Sequence, residues 1–163
     1  MHRKQLTRRM LVTKVRAWRR HHKKIVFTNG CFDLLHVGHV RYLSKARSLG
    51  DLLIVAVNTD ASVRTLKGNA RPLTPLAQRL EILSALSCVD YVIPFHASTP
   101  VALIAWVKPD VLVKGADWPE VSIVGRDIVK AYGGRVARIK MVPGTSTTLL
   151  IRRIVKGCAT SPP

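Results

Sequence analysis

The feature that most constrains this chain is a repeated alternation: short apolar runs, rich in β-branched residues, each followed by a segment with helical spacing. Ile25 to Thr28 reads as a strand, Gly38 to Leu49 as a helix, Gly50-Asp51 as its stop, and Leu52 to Val57 (LLIVAV) as a strand apolar at every position. A strand apolar throughout is buried on both faces, and strand, helix, strand in that order pairs the strands in parallel. The pattern continues through a polar, basic loop at Lys67 to Arg71 and a helix from about Pro75 to Leu86, with Leu76, Leu80, Leu83 and Leu86 at helical spacing. Strands follow at Tyr91 to Ile93, Val111 to Val113 and Arg135 to Ile139, with helices near Pro100 to Val107, Ser122 to Tyr132 and Ser146 to Val155. The expectation is an α/β domain whose parallel sheet is covered on both faces, with ligands beyond the carboxyl ends of its strands.

The turn after the first of these strands carries an arrangement that packing alone does not request. In VFTNGCFDLLHVGHVRYL, Val26 to Leu43, two histidines flank one glycine at a helix start. His36 and His39 are three residues apart, about one turn on a shared face. Their ring nitrogens, the free N–H groups of the first turn and the positive end of the helix dipole converge on one spot, which favours an anion and most naturally a phosphate. Gly38 lacks a Cβ and admits a phosphate close to the backbone, and Gly30 permits a tight turn. Two other readings exist: Cys31, His36 and His39 as zinc ligands, which lack a clear fourth partner, and structural histidines. Neither a Walker phosphate loop nor a dinucleotide fingerprint occurs.

At 163 residues, 47% of them hydrophobic, the chain has material for one core. Cys31, Cys88 and Cys158 form neither a Cys-x-x-Cys pair nor a disulfide framework, so a reducing, cytoplasmic setting is expected. No apolar run reaches the length of a membrane span. Net charge is +18, from 27 Lys plus Arg against 9 Asp plus Glu, and ten of the cations (from Arg3 to Lys24) precede Asp33, the first acidic residue. The basic excess is therefore largely N-terminal. Leu6, Met10, Val12, Val15 and Trp18 give that segment a loose apolar stripe, readable as a nucleic-acid arm, a membrane-surface helix or a helix docked on the domain. It has no continuous apolar h-region and no small-residue cleavage site. The division expected is a basic, helical extension over residues 1–23, a domain over 24–157 and a frayed tail over 158–163.

TNGCFDLLHVGHVRYL resembles the signature of the HxGH nucleotidyltransferase superfamily, and VNTDAS, KGNARP, VKGADW and GTSTTLLIRRI follow in that superfamily's order. Together these segments cover about Ile25 to Lys156 and are similar to the D-glycero-β-D-manno-heptose 1-phosphate adenylyltransferases. That family occurs alone or as the C-terminal half of a bifunctional heptose kinase/adenylyltransferase. The resemblance implies a Rossmann-like three-layer sandwich of the cytidylyltransferase-like type. It also implies a Mg²⁺-dependent reaction in which an oxygen of the sugar 1-phosphate attacks the α-phosphorus of ATP in line. ADP-heptose, a donor for lipopolysaccharide-core or related glycans, forms and pyrophosphate leaves, with no covalent enzyme intermediate, so the protein's task is alignment and charge stabilisation.

By the same resemblance, His36 and His39 are the catalytic residues, contacting the ATP phosphates. Cys31, Phe32 and Gly38 frame the nucleotide, while Lys114, Gly115, Asp117 and Trp118 shape the nucleotide or sugar pocket. Ser146, Thr147 and Thr148, just after Gly144 at another helix start, bind the departing phosphates; read without the family they are simply a good N-cap. Asp33 and Asp60 stand near the carboxyl ends of the first two strands, where a carboxylate can bind Mg²⁺, sugar hydroxyls or a helix N–H. Lys67 and Arg79 are candidates for the sugar phosphate, with solvated charge as the other reading. No metal-ligating residue is assigned.

Two positions depart from the superfamily. Arg47 stands where many members have lysine, keeping charge and altering geometry. Met141 replaces the arginine that the cytidylyltransferase branch places before its Gly-x-Ser-Thr-Thr, which weakens a CTP reading. The alternatives kept are a cytidylyltransferase for glycerol 3-phosphate or another polyol phosphate, and a nucleic-acid-binding protein using the basic segment. An open sheet edge and an apolar stripe are compatible with a homodimer.

Overall fold

The computed structural model describes residues 4–160. Its centre is a five-stranded sheet in the order β3-β2-β1-β4-β5, formed by β1 (Ile25–Gly30), β2 (Leu52–Asn58), β3 (Tyr91–Phe95), β4 (Val111–Gly115) and β5 (Arg135–Ile139). Every neighbouring pair is parallel. Alternate residues of the strands face opposite layers. Ile25, Phe27, Ile54 and Leu112 pack with one set of helices, and Val26, Leu53, Val55 and Val113 with the other. This is the Rossmann-like three-layer sandwich that full-apolar parallel strands require.

The first layer holds α1 (Arg8–Arg20), α5 (Val101–Val107) and α6 (Arg126–Ala131); the second holds α2 (Val37–Arg47) and α4 (Leu76–Ala85). The remaining helices are α3 (Asp60–Lys67) and α7 (Thr147–Thr160).

Four differences from the sequence expectation have physical causes. The segment after β2 is a helix, α3, capped by the Thr59 hydroxyl accepting from Ser62 N–H, so Asp60 is the first helical residue rather than the cap and Lys67 the last. Strand β3 runs through Pro94, which an edge strand tolerates because it needs no further ladder partner. The helix expected over Ser122 to Tyr132 is split into a 3-10 turn (Glu120–Ser122) and α6, because Gly125 adopts φ +88° and a Cβ there would lie 2.4 Å from Ile104. Finally, α7 takes in residues 158–160 of the expected tail; residues 1–3, with Arg3, and 161–163 lie outside the described residues.

The N-terminal segment is built into the same core. The Thr7 hydroxyl accepts from Met10 N–H to start α1, Leu11 is fully buried and Leu6 and Val15 nearly so, while Leu6 N–H reaches Val92 O at 2.8 Å. The buried face is Leu11, Val15 and Trp18; Met10 and Val12, counted in the expected stripe, face solvent. Among the described residues no helix is long and apolar enough to cross a membrane.

Candidate active site

Chain order reverses between β1 and β4, and their carboxyl ends frame a cavity of about 620 Å³. The sequence builds its floor at the end of β1. Thr28 is buried and pinned by hydrogen bonds to Tyr42 of α2 (2.8 Å) and Val113 O of β4 (3.1 Å). Beyond Gly30 the chain turns sharply. Phe32 sits at φ +45°, a left-handed conformation costly for a bulky residue, and a Cβ on Gly30 would touch the Phe32 ring at 3.0 Å. That turn delivers His36 to the N-cap of α2 and His39 to its first turn.

His36 makes no side-chain capping bond, and the two imidazoles stack at 3.9 Å with 23° between planes. Nδ1 of both rings is buried without a hydrogen-bond partner. Burial pushes the His39 pKa down to about 4, with His36 adding to the effect, and burial also lowers His36. The pair is thus neutral near pH 7 and placed at the positive end of a helix, a combination that an anion satisfies. Stacked rings do not converge on a metal, and among the described residues no group of three or more His, Cys, Asp or Glu is placed to hold one.

A second helix start closes on the same cavity. Ser146 Oγ accepts from Leu149 N–H at 3.1 Å, capping α7, and Thr147 Oγ1 donates to Leu34 O at 3.3 Å. Both line the cavity with Thr148 and Thr145. Ser146 therefore satisfies the N-cap reading, while the amides of Thr147 and Thr148 remain available to a ligand. Gly38 plays a different part from the one expected. It is outside the lining, and a Cβ there would lie 2.5 Å from Thr145 Oγ1 and 2.9 Å from the His36 ring, so it permits the two helix starts to meet.

The third wall is the end of β4. Lys114 donates to Asn29 Oδ1 across the strands, and burial lowers its pKa to about 8. Gly115 leaves room for the Asp117 carboxylate, whose Oδ1 would lie 2.2 Å from a Cβ built there. Beyond it, Trp118, Ile123, Val124 and Met141 give the cavity an apolar arm, and Asp117 lines it as well.

The opposite arm carries Lys67 and Arg71, beside Asn58, Ser98 and Thr99. Here the structure corrects three expectations. Asp33 lines the cavity, but its carboxylate is taken by Arg71 Nε at 2.5 Å and the N–H groups of Leu73 (2.9 Å) and Thr74 (2.8 Å). Burial opposes ionisation of Asp33, yet these bonds outweigh it and hold the pKa below the usual range. It has no oxygen left over for Mg²⁺ or a sugar. Arg79 is 1% exposed and outside the lining. It donates to Thr74 O (2.9 Å), Cys31 O, Asn58 O (2.8 Å) and Asp60 Oδ1 (2.7 Å), so Arg79 and Asp60 hold three chain segments together rather than a substrate. Asp60 is also engaged by Leu76 N–H at 3.3 Å.

Cys31 and Phe32 line the cavity as expected, and burial raises the Cys31 pKa against the lowering effect of Lys67, Arg79 and Arg71. Arg71 and Asn29 were missed as site residues, although both stand inside segments singled out for other residues. With Asp33 and Asp60 engaged, the donor set does not fit a magnesium held by the protein; Asp117 is the one cavity carboxylate outside these clamps.

Comparison with known proteins bears on this geometry. The family described as cytidylyltransferase-like matches residues 27–153. The Bifunctional protein HldE of Syntrophotalea carbinolica is 58% identical over 137 residues, which are 84% of this chain and 28% of that protein. HldE of Pelobacter propionicus is 52% identical over 149 residues, 91% of this chain and 30% of its own length. The chain thus spans less than a third of these curated relatives. Among solved structures, the lipopolysaccharide core biosynthesis protein from Thermoplasma volcanium has a TM-score of 0.63 at 30% identity, over 74% of this chain and 98% of that one. Pantoate-beta-alanine ligase from Francisella tularensis, at 17% identity and a TM-score of 0.56, covers 93% of this chain and 78% of its own, and bears on the fold alone.

Proposed function

The chain belongs to the cytidylyltransferase-like family and is a nucleotidyltransferase, and from that premise we propose that it transfers AMP from ATP to D-glycero-β-D-manno-heptose 1-phosphate, giving ADP-heptose and pyrophosphate. The observation that carries this reading is the convergence of two helix starts, the orphaned nitrogens of His36 and His39, and Lys114 on one cavity. The names of the relatives, Bifunctional protein HldE and lipopolysaccharide core biosynthesis protein, support the choice of acceptor.

In this reading the nucleotide base occupies the apolar arm at Trp118 and Met141, and the triphosphate lies across the starts of α2 and α7. The phosphate of the acceptor is held by Lys67 and Arg71. One of its oxygens forms a bond to the α-phosphorus as the bond to the bridging oxygen of pyrophosphate breaks. His36, His39 and Lys114 donate hydrogen bonds to phosphate oxygens as charge shifts onto the leaving group. A magnesium ion would come with the triphosphate as its counter-ion, and no residue of this chain is assigned to it. The free thiols of Cys31, Cys88 and Cys158 suit a reducing compartment.

The test is pyrophosphate release measured for ATP, CTP and GTP against heptose 1-phosphate, glycerol 3-phosphate and other sugar 1-phosphates. Turnover confined to ATP with heptose 1-phosphate is the expected result. Turnover with CTP and a polyol phosphate instead would move the chain to another branch of the family.

A pH profile gives a separate check. With Lys114 at about 8 in the free protein, its cation is present below that pH and lost above it. The profile of kcat/KM, which reports the free enzyme, should fall on the alkaline side with an apparent pKa of about 8. Lowered histidine values mean that no inflection is expected near the ordinary imidazole value of about 6.5. An alkaline limb unchanged in Lys114→Gln would remove this lysine from the reaction.

A further inference from the structure

Of the ten N-terminal cations, Arg3 lies outside the described residues and the other nine divide in two once the fold is known. Those on the inner side of α1 are used by the protein itself. Arg8 lies 3.7 Å over the Trp106 ring, Lys14 lies 4.9 Å over Tyr91, and Arg19 makes a bidentate contact with Asp110 at 2.9 Å. Lys4 donates to Leu86 O at 3.0 Å. The outer cations are not so used. Arg9, Arg16, Arg20, Lys23 and Lys24 are exposed, and no ion pair or hydrogen bond within the described protein engages their side-chain charges.

Arg9, Arg16 and Arg20 stand at i, i+7 and i+11, within about 40° of one another around the helix, and form a ridge about 16 Å long. No acidic residue occurs on α1. The opposite face buries Leu11 and Val15, so α1 is fixed on the body and cannot turn its apolar side outward to insert. Contacts from Leu6 to Val92 and from Arg19 to Asp110 set the helix past the starting ends of β3 and β4, away from the cavity at the carboxyl ends.

We propose that this arginine ridge docks the protein peripherally on an anionic phospholipid bilayer, with the cavity left open to solvent. Charge complementarity identifies the class of partner: unpaired guanidinium groups in a row match phosphate head groups, and arginine binds phosphate bidentately. Shape favours a bilayer over nucleic acid. The ridge is convex and has no second wall, and the side chains flanking it are the exposed Met10 and Val12, which suit the head-group boundary. The aromatic platforms that single-stranded nucleic acid stacks on are absent from it, because Trp18 packs on Tyr91, Trp106 lies under Arg8 and Trp118 lines the cavity.

The experiment is sedimentation of the full chain with vesicles of phosphatidylcholine alone or mixed in equal parts with phosphatidylglycerol, at about 0.1 M salt. Binding is expected only to the mixed vesicles and should be lost on raising the salt. The triple variant Arg9→Gln/Arg16→Gln/Arg20→Gln should weaken partitioning by about a hundredfold, roughly fivefold for each cation near the surface. Its melting temperature and its pyrophosphate release in solution should be unchanged. A matched triple, Arg41→Gln/Lys45→Gln/Arg64→Gln, removes the same charge from other exposed positions and should bind within about fivefold of the parent, a margin of one cation's effect. Absence of binding by the parent, equal loss in both triples, or displacement from vesicles by nucleic acid at matched phosphate concentration would each overturn the proposal.

Discussion

Replacing His39 by alanine is expected to lower kcat/KM by about a hundredfold or more while leaving the fold intact, the scale of losing one preorganised donor to a developing anion. The reason lies in how the protein itself holds the ring. His39 is held neutral by burial, with its pKa at about 4, and its Nδ1 has no protein partner. The protein thus keeps a desolvated imidazole whose Nδ1 no protein group engages, so removing it takes no hydrogen bond from the folded scaffold and costs ring contacts alone, with His36 at 3.9 Å and Phe32 at 5.4 Å. His36→Ala should have a similar effect. Because the rings stack and address one anion, the double variant should lose much less than the product of the two single losses. Near-normal turnover in both folded single variants would remove the pair from the chemistry.

Arg79→Met should have the opposite profile, a large loss of stability. It strands the Asp60 carboxylate and the carbonyls of Cys31, Asn58 and Thr74, all of which now accept from one guanidinium. Removing one partner of such a network costs about 3–5 kcal/mol, which for a domain of this size lowers Tm by on the order of 10 °C. Arg79→Lys should recover little, since an ammonium cannot span four acceptors in three segments. Asp60→Asn, at a position one-third exposed, should cost far less. A melting temperature for Arg79→Met within a degree or two of the parent would show that the network is dispensable.

These two residues also mark what could and could not be read from the sequence. His36 and His39 were legible because their spacing around Gly38 at a strand-to-helix turn has a purpose in local geometry alone. The strands were legible because residues such as LLIVAV are apolar at every position, which only burial on both faces explains. The sequence points to Arg79 as a ligand because a cation on an amphipathic helix is ordinarily solvated or functional. A contrary signal was present: Leu76, Leu80 and Leu83 place it on the apolar face of α4, where burial with carbonyl partners is the consistent outcome. Helix α3 was missed because DASVRTLK is short and Asp60 is itself a good cap residue, so Thr59 was overlooked.

Other contacts were beyond sequence reasoning because they join distant segments. Nothing local to Asp33 announces that Arg71, Leu73 and Thr74 will occupy its oxygens. Nothing local to Gly38 announces that Thr145 will pack directly against it. The same holds for the N-terminal stripe, whose buried side is chosen by the position of α5 and the edge of β3.

Helix α7 brings Ser146 to Thr148 to the cavity, yet from Thr147 to Cys158 none of its side chains is fully buried. Amide exchange in such an element proceeds through local opening, well below the free energy needed to disrupt the sheet. A polyanion seated on its first turn stabilises the closed form alone, so occupancy of the site and folding of that wall are linked equilibria. Exchange of the α7 amides is therefore expected to be faster than that of β1 and β4 in the free protein and to slow when a polyanion is bound, which hydrogen exchange with and without ATP would show.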